Sequence, residues 1–118
     1  MSVEWIEYKG KRILYVDFRG LRNEGMLENL ELEAKMLAET PGKVLVLGNF
    51  EGTRASNAFM DRLKQLGKEV IEDKVARNAV LGVTGLKEIL MRAYNAVTGG
   101  KARPFATEAE ALEWLVKA

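Results

Sequence analysis

Three short apolar runs, Ile13–Val16, Val44–Leu47 and Ala79–Val83, dominate the chain, and segments with helical spacing separate them. Uninterrupted apolar runs of this length read as strands covered on both faces, whereas a half-buried strand alternates. Strands that need two covers, with helical segments between them, lead to an α/β fold. Before the first run, Val3–Tyr8 alternates loosely, and Lys9-Gly10 makes a tight turn into Ile13–Val16. That pattern predicts a β-hairpin with Val3–Tyr8 as an antiparallel edge strand.

The helical segments carry their own punctuation. Leu27, Leu30, Ala34 and Leu37 form the apolar stripe of a helix over 23–39, with Glu24, Glu28 and Glu31 on another face and Thr40-Pro41-Gly42 as its stop. Ala55, Phe59, Leu63, Leu66 and Val70 predict a second helix over 54–72. Leu86, Leu90, Ala93 and Val97 predict a third, closed by Gly99-Gly100. Arg103–Ala106 reads as a short last strand. Thr107 and Glu110 form a capping box for a final helix through Leu112 and Leu115. The expected order is β-β-α-β-α-β-α-β-α: a mostly parallel sheet with an antiparallel first strand, in one domain over 1–118.

Composition narrows the chemistry. The 118 residues contain no Cys and no His, which excludes disulfides, thiol and Ser-His-Asp nucleophiles and the usual zinc sites. Serine occurs only at Ser2 and Ser56. The expectation is a protein that is not an enzyme, with no catalytic residue, no cofactor and no metal. Eighteen basic residues against seventeen acidic give a net charge of +1, without a general attraction for nucleic acid. Residues 54–92 hold eight basic and five acidic side chains, too even a mixture for a nucleic-acid footprint. No apolar stretch approaches the roughly 20 residues of a membrane span, and no signal peptide opens the chain. Cytoplasmic localisation, without stable membrane insertion, is therefore expected.

In an open parallel sheet, ligands and partners meet the carboxyl ends of the strands. Those ends bring forward Asn49, Glu51, Thr53, Arg54, Ser56, Asn57, Thr84 and Lys87. The 49–57 segment leads into a helix whose free amides favour an anion or a phosphate, which makes Ser56 and Thr53 candidate phosphorylation sites. Either hydroxyl also suits a simple helix cap. Gly82-Val83-Thr84-Gly85-Leu86-Lys87 has two residues between its glycines and Glu88 after the lysine, so it lacks the phosphate-loop spacing. The clusters Glu24/Glu28/Glu31 and Glu69/Glu72/Asp73 read as solvated helix faces. Trp5, Trp114 and Phe105 read as packing. Tyr94, Met91 and Val97 are placed to flank an apolar pocket between helix and sheet. The edge strand Val3–Tyr8 offers pairing in a homodimer, although Glu4, Glu7 and Lys9 guard it.

The element order and three stretches resemble the SpoIIAA-like branch of the STAS superfamily, the anti-sigma-factor-antagonist-like domains grouped with CRAL-TRIO lipid-transfer proteins. The stretches are Val44–Gly52, Asn78–Val83, and Arg103-Pro104-Phe105 leading to Ala109–Leu115. The resemblance implies a bacterial regulatory domain that binds a protein partner. In the sporulation antagonists the helix after the third strand opens with Asp-Ser-Ser-Gly, where one serine is phosphorylated. Here Glu51–Asn57 lacks that word, and Ser56 occupies its neighbourhood. The resemblance thus leads to an interaction domain, with Ser56 and Thr53 as candidate positions for a phospho-switch that lacks the family's motif. The alternative is a domain that binds a small anionic or lipid-like ligand.

Overall fold

A computed structural model describes residues 2–117. Its five strands lie side by side in chain order: β1 (Val3–Tyr8), β2 (Lys11–Asp17), β3 (Val44–Asn49), β4 (Val75–Leu81) and β5 (Arg103–Phe105). β1 pairs antiparallel with β2, with Val3 opposite Val16 and Tyr8 opposite Lys11. Lys9 and Gly10, both at positive φ, make the two-residue turn whose twist matches the flanking strands. All later pairings are parallel, so the expected mostly parallel sheet with an antiparallel first strand is the one observed.

Four helices connect and flank these strands. They are α1 (Asn23–Glu39), α2 (Asn57–Leu66), α3 (Leu86–Thr98) and α4 (Glu108–Val116). α2 does not run unbroken over 54–72 as its stripe predicts. It begins at Asn57, passes into a π-helical stretch over Gly67–Ile71 and finishes with the turn Glu72–Lys74. Arg54 and Ala55 lie outside it because Ser56 takes the extended N-cap conformation. Gly67 permits the wide turn to nestle against α3, since a Cβ there would lie 2.7 Å from the Tyr94 hydroxyl. β4 also begins earlier than its apolar run, at Val75, and ends at Leu81 where Gly82 turns to positive φ. β5 stops at Phe105, one residue short of the expected end.

The two faces of the sheet are covered unequally. On one face Leu14, Val16 and Val46 meet Met26, Leu30 and Leu37 of α1, Phe59 and Met60 of α2, and Tyr94 of α3. On the other, Ile13, Leu47, Ala79 and Leu81 meet only α4 through Ala111 and Leu115. This is why β2, β3 and β4 read as continuous apolar runs: each alternates between two cores. The buried position on α1 is Met26, where the sequence pattern favours Leu27, which is half-buried. Tyr8 and Lys9 of the hairpin both bond to Glu113, tying β1 to α4. Glu4 and Glu7 are both exposed, on opposite faces of β1.

Leu47 is fully enclosed under α4. Leu47→Ala is expected to lower the unfolding free energy by about 2–5 kcal/mol, measured by denaturant titration.

Candidate functional site

The carboxyl ends of β2, β3 and β4 meet above the α1–α3 face, and one backbone junction organises them. Phe18 N donates to the Asn49 carbonyl at 2.9 Å, and Phe50 N donates to the Leu81 carbonyl at 2.9 Å, extending the ladder past the strands. The β3 loop then presses onto Gly82, where a Cβ would come within 2.4 Å of Glu51 N. Asn49 is buried, its side-chain amide donating to Tyr15 Oη at 3.0 Å and its carbonyl oxygen accepting from Glu51 N at 3.1 Å. Asn49 is thereby a structural clamp at the foot of the loop.

The Phe50 carbonyl is the hub of that loop. It accepts from Thr53 N at 3.2 Å, from Thr53 Oγ1 at 2.7 Å and from Lys87 Nζ at 2.9 Å. The lysine bond joins the β3 loop to the start of α3. Thr53 is consequently buried with its hydroxyl engaged, whereas Ser56 is half-buried and caps α2, its Oγ accepting from Phe59 N at 3.1 Å. Glu51, Arg54, Asn57 and Thr84 are exposed around this rim. Arg19 lies beside them, gripping Asp17 through two guanidinium bonds that hold the Asp17 carboxyl below its ordinary range.

Beneath the rim, Phe18, Phe50 and Phe59 form an aromatic trio. Phe18 and Phe50 stack with centroids 4.6 Å apart, and Phe59 meets Phe18 edge-on at 5.6 Å. Below the trio lies a partly open cavity of about 90 Å³ between the sheet and the three helices. Its wall includes Phe50, Thr53 and Lys87 from the rim, Val46 and Val80 from the sheet, and Met91 and Tyr94 from α3. Two of the three residues expected to flank an apolar pocket, Tyr94 and Met91, do so. The third, Val97, faces outward and is 47% exposed, because α3 turns its 86–89–97 edge to solvent with Leu86 and Ile89.

The cavity has one polar end that the sequence pattern does not announce as a site. Glu33 is buried among its walls, and burial pushes its carboxyl up to about 8, with nearby Glu72 adding to the shift. The Tyr94 hydroxyl donates to Glu72, and burial, then that bond, drives the phenol well above its ordinary range. Glu33 stands three residues after Leu30 and four before Leu37, squarely on the buried stripe of α1. A carboxylate at a stripe position was the signal available, and the neighbouring acidic face masks it. Among the described residues no group of acidic side chains is arranged to hold a metal ion.

The family model described as SpoIIAA-like matches residues 10–116. The chain belongs to the SpoIIAA-like family. No curated protein and no solved structure matches it significantly. The family places the chain among STAS-type regulatory domains in general, and the matched span contains the rim, the cavity and Glu33. No helix of the described residues is long and apolar enough to cross a membrane.

Three outcomes test this geometry. Ser56→Ala should cost about 1 kcal/mol by loss of the cap, while Ser56→Asp keeps it, read by thermal or chemical unfolding. Gly82→Ala should cost more than about 2 kcal/mol, since strained φ and collision with Glu51 act together. Glu33 binds its proton more tightly folded than unfolded, so the native state holds more protons between the two pKa values. Unfolding free energy should therefore fall as pH rises from about 4.5 to about 8, by up to about 1.4 kcal/mol per unit. Glu33→Gln should flatten that slope.

Proposed function

We propose that this SpoIIAA-like chain is a non-enzymatic regulatory domain that senses a small ligand in the cavity under the Phe50–Ala55 loop. The observation that carries this reading is the cavity itself: about 90 Å³, partly open, with a mostly apolar lining. Interiors of small domains ordinarily pack to crystal-like density, and space left between elements forfeits contacts along its lining. A domain that retains such a cavity beneath its carboxyl-end loops is built to have it occupied. Phe50, Thr53 and Lys87 are at once cavity wall and rim, so an occupant touches the segments that a partner would meet. On this reading Glu51, Arg54, Asn57 and Thr84 contribute the partner surface, and occupancy of the cavity changes how they are presented.

The second reading is the phospho-switch, and the position of Ser56 favours it. Its hydroxyl already sits on the free amides that open α2, where a phosphate would gain hydrogen bonds and a favourable dipole. Thr53 is the weaker candidate of the two because its hydroxyl is enclosed and bound to Phe50.

Native and denaturing mass spectrometry of gently purified protein separates these readings. A noncovalent adduct lost on denaturation, and lost again in the cavity-filling variant Val80→Leu, is the expected result. A bare native mass, together with no stabilisation by small apolar probes, would sink the ligand reading, because a ligand that binds only the native state raises its stability. A covalent phosphate at Ser56 would put the switch in its place.

A further inference from the structure

Glu33 stands out from the walls around it. It is 7% exposed and makes no hydrogen bond with any described residue. No fully enclosed side-chain oxygen or nitrogen among the described residues lacks a partner, so the unpaired oxygens of Glu33 must border open space. The space that Glu33 lines is the cavity.

The groups facing it are few. α2 ends in Glu72 behind Tyr94, and α3 supplies Tyr94 itself, bonded to Glu72. The remainder of α2 presents Phe59 and Met60, and the sheet presents Val46, Val80 and the neutral Asn78. Among the described residues Lys87 is the one cation in the lining. It lies seven residues from Tyr94, about 10 Å along α3, and its ammonium is committed to the Phe50 carbonyl. The Glu33 end is thus acidic, apolar-walled and without a counter-cation.

We infer that the Glu33 end of the cavity is a subsite for an organic ammonium ion, a primary amine carried on a short apolar body. This rests on the ligand-binding reading above and specifies the chemistry of the occupant. The cation sits against Glu33, in the field of Glu72, and the carbon chain lies among Val46, Phe59, Met60 and Val80. A carboxylate ligand would bring a further anion into the field of Glu72, and a purely apolar one would leave Glu33 unpaired, at the cost that attends any buried unpaired polar group. A cavity of 150 Å³ admits benzene, so about 90 Å³ suits a chain of roughly four carbons. Near neutral pH the Glu33 carboxyl holds its proton. Docking of the ammonium ion forms the ion pair and releases that proton to solvent, so charge and protons balance.

Titrations with n-butylamine, n-butanol and n-butyrate, followed by NMR and calorimetry between about pH 6 and about pH 8, test this. Butylamine should bind tightest, gain roughly tenfold in affinity per pH unit and release one proton. Glu33→Gln, isosteric with the protonated acid, should abolish the preference for amine and its pH slope while leaving butanol affinity within about threefold. Should that variant not fold, proton release by the wild type in buffers of different ionisation enthalpy decides the matter alone. Butanol binding as well as butylamine, or a flat pH profile for the amine, would overturn the ammonium subsite and leave the ligand reading standing. No shift of cavity resonances with any of the three would overturn both.

Discussion

Strand β3 is the constraint on which the rest of the molecule depends. It is paired on both sides, with Leu45 opposite Ile13 of β2 and Leu47 opposite Ala79 of β4. Its alternate side chains enter opposite cores, Val46 beneath the three-helix layer and Leu47 beneath α4. Parallel pairing of this kind demands a covered sheet and a crossover helix at each step. Once β3 is in place, α1 and α2 must return over the same face with the right-handed sense of such connections. The loop that leaves β3 at Asn49 is then delivered to the end of β4, where only a glycine at 82 lets it settle.

The imbalance of helices explains where open space remains. On the α4 side a single helix brings Ala111 and Leu115 onto Ile13, Leu47, Ala79 and Leu81. On the other side three helices converge on one sheet face. α3 packs mainly against α2 and contributes a single fully buried side chain, Tyr94. Gly67, which opens the π-helical stretch over Gly67–Ile71, lies against Tyr94 and Thr98 of α3, and such stretches recur at functional sites. The gap left between α3 and the sheet is the cavity. Glu33 and Tyr94 give it one polar end, and Lys87 marks the other.

Much of this was legible in the residues. The three apolar runs announced strands with two covers, the hairpin turn announced the antiparallel edge, and Thr107 with Glu110 announced the start of α4, where Thr107 Oγ1 accepts from Glu110 N. A capping hydroxyl at Thr53 or Ser56 was legible, and so was Tyr94 with Met91 as pocket wall. The extent of β4 was not, because Val75–Asn78 carries Arg77 and Asn78, which no strand pattern favours. Arg77 is accommodated by lying over the Trp114 ring and donating to the Trp114 carbonyl at 2.6 Å, contacts made across 37 residues. The break in α2 was equally hidden: its apolar spacing runs on through Val70, and the widened turn answers to the Tyr94 side chain of another helix.

The sequence alone determined the α/β class, the order of elements, the absence of His and Cys chemistry and the rim residues at the strand ends. These follow from local periodicity and residue chemistry, which act over a few neighbouring positions. Only the tertiary structure decided that Thr53 is enclosed while Ser56 caps, that Val97 faces outward, and that Glu33 opens onto a cavity. Each of these depends on how far apart two packed elements come to rest. That distance is set by side chains remote in the chain, and no local pattern encodes it.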